Sequence, residues 1–325
     1  MLQSRSSIDI SIIVVNYHSA DYVIDCVQSI QEHTYKTRYE IVVVDNASFD
    51  GCFKKFERKI LNLTLIPSHY NLGFGGANNL GVRHSKAEIL LFLNPDTILK
   101  GDAIDRLYHN FLKLENPGAV GCRLLNTDGS LQTSCVQAFP TILNQVVDVE
   151  ALRRMSPMAS IWGNAVLHQP GLAPASVQAV SGACLMMRRD VFDKLGGFSP
   201  EYFMYGEDLD LCFKAQLSGY RNYHIRQATI VHFGGGSTRK IASDFSIMMM
   251  KESVFRFLLK FRGRIYGYGY RAAMSISAIL RLGMLIVLFP VWQTLLKAQD
   301  WKSVFRKWRC ILEWGLGLKR LSAKT

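Results

Sequence analysis

The groups with chemistry to offer stand at three places in the chain: a corner at Asn94-Pro95-Asp96, an acidic run at Glu207-Asp208-Leu209-Asp210, and His232 ahead of Phe233 and three glycines. Pro95 fixes its own φ and pushes Asn94 out of the helical region, so Asp96 is carried on a stiff corner. A carboxylate held that way suits a metal ion, although the tripeptide alone reads first as an ordinary Asx turn. The acidic run falls where a helix should begin, and acidic residues there favour the helix dipole. Capping accounts for one or two of them; the surplus makes Glu207 and Asp208 candidates for general-base work. The dipole lowers their basicity, so a base here must draw its pKa from its surroundings. His232 closes a short apolar run, where a lone histidine is more often structural than a ligand; Asp96 as a metal partner shifts that balance. Phe203 and Tyr205, just upstream of Glu207, offer faces for a sugar ring.

These groups need a frame, and the hydrophobic pattern supplies one. Residues 10–15 and 41–44 are short apolar runs that end on Asn16-Tyr17 and Asp45-Asn46, residues 63–66 make a third, and residues 89–99 carry the Asn94-Pro95-Asp96 tip. Each reads as a buried strand. Between the first two, Val23, Cys26, Val27 and Ile30 share one helical face; after the fourth, Ile104, Leu107, Tyr108 and Phe111 do the same, with Asp102 placed as an N-cap. Alternation of this kind predicts an α/β fold with a mostly parallel central sheet flanked by helices. Ligands in such sheets lie beyond the carboxyl ends of the strands, where Asn16, Tyr17, Asp45, Asn94 and Asp96 all fall.

Residues 71–81, NLGFGGANNLG, read as a glycine loop ahead of a helical run over 77–85. Its spacing fits neither the Rossmann nor the P-loop fingerprint, but its position after a strand suits a backbone that approaches a ligand. Gly182 and Ala183 lead into an apolar strand, leaving room beside a sugar or phosphate or simply allowing close strand packing. Glu207 opens a helix that runs to about Leu217, with Gly219 just past its end. Residues 119–180 are less informative: residues 135–166 show no sustained period, and residues 169–176, with Pro170, Gly171 and Pro174, read as a loop that frames the second substrate.

Of 325 residues 49% are apolar, ample for a large core. The seven cysteines contain no Cys-x-x-Cys pair, which argues against a disulfide framework or a thiolate zinc site and for a reduced, cytoplasmic setting. The N-terminal residues lack the pattern of a secretory signal. Residues 251–325 hold 15 Lys and Arg against 3 Asp and Glu, a surplus equal to the net charge of +12 for the whole chain. A neutral body is therefore joined to a basic tail.

Taken together, VVNY, VVVDNAS, NLGFGGANNLG, LFLNPD, SGAC, GEDLDL and VHFGGGS stand in the order of a known family. The chain resembles an inverting glycosyltransferase of family 2 with the GT-A fold, in its rhamnosyltransferase-like branch, over residues 8–260. The resemblance implies transfer of a sugar from a nucleotide-diphospho-sugar, dTDP-rhamnose first and a UDP-hexose second, to a saccharide or polyprenyl-diphosphate-linked acceptor in cell-surface polysaccharide synthesis. It implies that Asp45 contacts the base, and that Asn16, Tyr17, Asn71, Gly75, Gly76, Asn78, Asn94, Gly182 and Ala183 surround the nucleotide sugar. Asp96 would bind Mg2+ or Mn2+ with help from His232, and Asp208 would be the base with Glu207 beside it. One departure stands out: the family's metal motif is commonly Asp-x-Asp, and its first position here is Asn94.

The division expected is a catalytic domain over 1–262 and a basic, apolar helical tail over 263–325. Residues 244–261 read as an amphipathic helix. The apolar stretch from Ala272 is broken by Arg281 and Pro290, and residues 282–296 are too short to span a bilayer, so an in-plane or re-entrant anchor at the cytoplasmic face of the inner membrane is expected. Nucleic acid is not expected as a partner. The rival readings are a sugar nucleotidyltransferase, which should show a basic glycine-rich loop at its first strand, and a non-catalytic carbohydrate-binding scaffold.

Overall fold

The apolar run that carries Asp96 is two strands rather than one. In the computed structural model, which describes residues 8–59, 63–147, 155–156, 158–169, 171–234, 244–289 and 298–319, β4 (Ile89–Leu93) stops at Asn94 and β5 (Thr97–Leu99) leaves in a new direction. The corner is the cause. Pro95 has no N–H for the ladder, and the Thr97 hydroxyl donates to the Asn94 carbonyl at 2.7 Å, closing a tight turn.

Earlier in the chain come β1 (Ile10–Asn16), α1 (Ala20–His33), β2 (Tyr39–Asn46), α2 (Cys52–Lys59), β3 (Leu63–Ser68) and α3 (Gly73–Arg83). After β5 follow α4 (Ala103–Phe111), β6 (Pro117–Leu125), β7 (Val136–Gln137), α5 (Ile142–Val146), β8 (Ala175–Val177), β9 (Ala179–Val180) and β10 (Cys184–Arg188). Then come α6 (Arg189–Lys194), α7 (Glu207–Leu217), β11 (Arg221–His232), α8 (Asp244–Arg262), α9 (Arg264–Val287) and α10 (Ala298–Gly315). The main sheet has the order β3-β2-β1-β4-β10-β6-β11-β5, with β8 paired to β11. By their pairings β1, β2, β3, β4, β6 and β11 run one way, and β5, β8 and β10 the other. This is the α/β fold expected, mostly parallel with helices on its faces. β1 and β4 are buried along their whole length, as strands covered on both faces must be.

Two helices differ from their sequence reading. The α3 helix begins at Gly73, so Gly75, Gly76 and Gly81 are helical positions and not part of a loop. Side chains from other positions start it: Asn46 Oδ1 accepts from the Leu72 N–H at 2.8 Å, and Asn71 Oδ1 from the Gly73 N–H at 3.0 Å. Asp102 precedes α4 as expected but does not cap it; its carboxylate takes Arg106 Nε at 2.5 Å instead. The α1 face of Val23, Cys26, Val27 and Ile30 is fully buried, as its spacing predicts.

By compactness the chain divides into one unit of Met1–Phe139, Ser156–Phe203 and Glu207–Arg239, holding the sheet, and another of Pro140–Met155, Met204–Gly206 and Lys240–Thr325. The second unit groups α8 with α9 and α10. Within it Trp314 is buried beside Phe255 and Tyr270, and its indole N–H donates to Glu252 Oε2 at 3.0 Å. The α9 helix passes through Arg281 without a break. It is long and apolar enough to cross a membrane by length and composition. Residues 290–297, with the rest of the anchor expected there, lie outside the described residues.

Candidate active site

The parallel register sets the site's floor. Asn16 and Asp45 are direct partners at the carboxyl ends of β1 and β2. Both are buried, and the Asn16 amide donates from Nδ2 to Asp45 Oδ1 at 2.8 Å and to Ser48 Oγ at 3.1 Å. Its Oδ1 accepts from the backbone N–H and the hydroxyl of Ser19, each at 3.1 Å, so the carboxamide is used internally to hold Asp45. Tyr17 stands nearly half exposed on the same edge. Asn46 reaches the other way and ties the edge to α3, its Nδ2 donating to Asn71 Oδ1 at 2.9 Å.

The α3 helix is packed, not open. A Cβ at Gly75 would meet Phe198 Cβ at 3.0 Å and Glu207 Cβ at 3.6 Å, and one at Gly76 would meet Leu72 Cβ at 3.0 Å. Asn78 is buried and donates to the Phe74 carbonyl at 2.9 Å. Gly75 thus seats α3 against Phe198 and Glu207, whereas Gly76 and Asn78 meet groups of the helix and its start.

At the corner, β5 lies antiparallel to β11 with Thr97 opposite His232, and that register brings His232 to Asp96. The imidazole Nε2 is 3.2 Å from Asp96 Oδ1 and 3.4 Å from Asn94 Nδ2. On its other side Nδ1 is 2.7 Å from Gln132 Oε1, an oxygen that only accepts. Nδ1 must therefore carry the hydrogen. With that tautomer Nε2 points a lone pair toward a carboxylate oxygen, an arrangement that a cation between them would relieve. Among the described residues no group of three or more His, Cys, Asp or Glu side chains gathers for a metal. Asp96 and His232 form a two-ligand set, one hard oxygen and one imidazole nitrogen. A divalent ion that takes its remaining ligands from phosphate and water fits it.

The acidic run begins α7 as its pattern predicts. Asp208 is partly buried; its Oδ2 accepts from the Gly182 N–H at 2.9 Å and its Oδ1 from the Leu209 N–H at 2.8 Å. The next residue, Ala183, accepts at its carbonyl from the Asn94 N–H at 3.0 Å. Gly182 and Ala183 thus join the carboxylate of α7 to the Asp96 corner. Burial pushes the Asp208 pKa above its ordinary value in spite of these N–H donors. Desolvation therefore outweighs the helix dipole, which the sequence alone would let dominate. Glu207 lies deeper: burial, with the charge of Asp208 adding to it, raises its pKa to about 8, and Oε2 is buried without a hydrogen-bond partner. Burial thus favours the neutral form of Glu207 well above the ordinary carboxylate range. Asp210 is structural, fully buried, and takes Ser199 Oγ at 2.5 Å and Lys214 Nζ at 3.3 Å.

Sequence reasoning missed Gln132 and Ser48. Gln132 sits in an aperiodic stretch with nothing to mark it. Ser48 stands in VVVDNAS, and its place three residues past Asp45 was the one available signal. Of the glycines after His232, Gly235 and Gly236 lie outside the described residues.

Comparison with known proteins identifies the family. Residues 11–196 match Glycosyl transferase family 2, and residues 165–296 match Glycosyl transferase family group 2. The chain is 29% identical over 211 residues to an N-acetylglucosaminyl-diphospho-decaprenol L-rhamnosyltransferase of Mycobacterium tuberculosis, covering 61% of this chain and 67% of that one. It is 26% identical over 264 residues to the rhamnosyltransferase WbbL of Escherichia coli, covering 77% and 93%. Among solved structures, the mannosyltransferase PcManGT of Pyrobaculum calidifontis, in complex with GDP-Man and Mn2+, superposes with a TM-score of 0.61 at 18% identity, covering 97% of this chain and 88% of that one. With the family matched across more than half of the chain, the chain belongs to glycosyl transferase family 2.

Proposed function

We propose that this enzyme transfers L-rhamnose from dTDP-L-rhamnose, with inversion, to a saccharide carried on a polyprenyl diphosphate, in the building of a cell-surface polysaccharide. The choice of sugar and of a lipid-linked acceptor is supported by the two rhamnosyltransferases to which the chain is similar. A UDP-hexose donor is the second choice.

The observation that carries the chemistry is the carboxylate of Asp208, fixed by two backbone N–H groups and joined through Gly182 and Ala183 to the Asp96 corner. In this reading Asp208 takes the proton of an acceptor hydroxyl as that oxygen attacks the anomeric carbon. The new bond forms on the face opposite the breaking bond to the nucleoside diphosphate, so the configuration inverts. The raised pKa of Asp208 makes it a better base near neutral pH than an exposed aspartate. Glu207, kept neutral, spares the base a second negative charge at its side. Asp45, held by Asn16, contacts the nucleotide base, and Tyr17 is exposed beside it. Mg2+ or Mn2+ held by Asp96 and His232 would supply Lewis-acid stabilisation of the charge on the leaving diphosphate. An acceptor on a lipid is met at the cytoplasmic face of the inner membrane, and the protein is assigned there as a peripheral enzyme.

A thermal-shift panel tests the donor assignment, using dTDP, UDP and GDP with their sugars, each with and without Mn2+. Ligand at a hundred times its dissociation constant stabilises by about 2.7 kcal/mol. The reading expects the largest, Mn2+-dependent shift with dTDP-rhamnose. A larger shift with a UDP-hexose would move the donor to the second choice, and no shift with any would overturn both.

A further inference from the structure

The α9 helix is built inside out. An ordinary surface helix turns its apolar stripe inward and its charges to water. Here the only charged residues between Ile265 and Leu288 are Arg271 and Arg281, and both face the protein. Arg271 donates to the Trp314 carbonyl at 2.7 Å and lies over the rings of Phe255 and Trp314. Arg281 donates to the Val146 carbonyl at 2.7 Å, with its guanidinium 4.2 Å from the centre of the Trp308 ring. Tyr270, Met274, Ala278 and Leu285 are buried on the same side. The outward side presents Ile265, Ile276, Ile279, Leu280, Met284 and Val287, each more than half exposed. A helix of 24 residues is about 36 Å long, so this is an extended stripe and not a scatter of single side chains.

We propose that this stripe is a bilayer-contact surface, and that α9 lies in the plane of an anionic leaflet with its outward face among the acyl chains. Charge complementarity names the occupant. Residues 251–325 carry 15 basic and 3 acidic side chains, and the exposed Arg262, Arg264, Lys302, Arg306, Lys307 and Arg309 flank α9 or lie on α10, which packs against it. A basic rim around an apolar stripe matches phosphate headgroups over hydrocarbon. The inward arginines decide the orientation. Crossing the bilayer would take Arg271, Arg281 and the basic α10 into hydrocarbon, whereas lying flat leaves all of them on the headgroup side. The proposal deepens the lipid-linked acceptor reading and rests on it only for the reason a membrane is visited.

The test uses the full chain, sedimented with phosphatidylcholine vesicles with and without phosphatidylglycerol, beside the doubly substituted Ile276→Glu, Met284→Glu protein. Both substitutions lie on the exposed face, and an unchanged Tm verifies that the variant folds. The expected result is salt-sensitive binding of the wild type to phosphatidylglycerol vesicles, release by alkaline carbonate, and a bound fraction at least about tenfold lower for the variant. Equal vesicle binding by the two proteins overturns the proposal, as does resistance to carbonate, which marks a spanning helix. A wild-type dimer that the variant converts to monomers, with no vesicle binding by either, gives the stripe to a second copy and also overturns it. Donor binding, measured on the same samples by thermal shift, separates the two readings: a failed nucleotide panel with intact vesicle binding removes the assigned function alone.

Discussion

The backbone N–H of Gly182 donates to Oδ2 of Asp208 at 2.9 Å. A loop residue at the head of β10 thereby fixes a carboxylate on α7, and its neighbour Ala183 bonds to Asn94 at the end of β4. The Asp208 carboxylate and the corner that bears Asp96 are therefore held by one short segment. Space is not what requires glycine at 182: a Cβ there would sit 3.4 Å from Asp208 Cβ and 3.5 Å from Phe74 Cε1, ordinary contacts.

Glu207 makes stability depend on pH. Its pKa is about 8 in the folded protein against an ordinary 4.5, so the folded state binds the proton more tightly than the unfolded chain does. Stability is full below about pH 4.5 and falls as pH rises toward 8, by at most about 1.4 kcal/mol per pH unit. Glu207→Gln removes that loss, so urea titrations across this range should show the variant gaining on the wild type as pH rises. A constant difference between the two would mean that Glu207 does not hold its proton.

Gln132 fixes the tautomer of His232, and so would act on any metal held there. Taking the Nδ1 hydrogen keeps the Nε2 lone pair aimed at Asp96, and losing such an outer partner typically weakens metal binding about 10–100-fold. Gln132→Leu should therefore weaken Mn2+ binding, titrated in the presence of nucleotide, by that factor, with metal-free nucleotide binding unchanged. Equal Mn2+ affinity in the two proteins would separate Gln132 from the site.

Gly73 is the glycine of α3 at which a positive φ and a backbone clash coincide. Its φ is +70°, and a Cβ would lie 2.1 Å from the Phe203 carbonyl oxygen, which accepts the Phe74 N–H at 3.0 Å. Gly101 shares the positive φ, +80°, but has open space around it. Gly101→Ala should cost only the backbone term, about 1–2 kcal/mol. Gly73→Ala should cost clearly more in the same urea titration, and equal losses would show that Phe203 yields.

Much of this was legible in the sequence because its signals are local. The buried faces of α1 and α4, the strand ends at Asn16 and Asp45, and the Asn94-Pro95-Asp96 corner all follow from periodicity or from proline's fixed φ. The glycines of α3 misled for a physical reason. Glycine marks close approach, and at Gly73 and Gly75 the approaching groups are Phe203 and Phe198, while the run itself is helical. The environment of Asp208 was hidden as well, since desolvation depends on what packs around a residue and not on its neighbours in sequence. Gln132 reaches His232 across a hundred residues, and Arg281 interrupts an apolar run in sequence yet turns inward in space.

The central claim is that Asp208 is the base of an inverting transfer, and turnover of Asp208→Asn measured beside its donor affinity tests it most directly. The amide keeps the size and an acceptor oxygen for the Gly182 N–H but cannot take a proton. The account predicts a fall in kcat of about two to four orders of magnitude, with the dissociation constant for the nucleotide sugar unchanged. Turnover near that of the wild type would contradict it and remove Asp208 from the reaction.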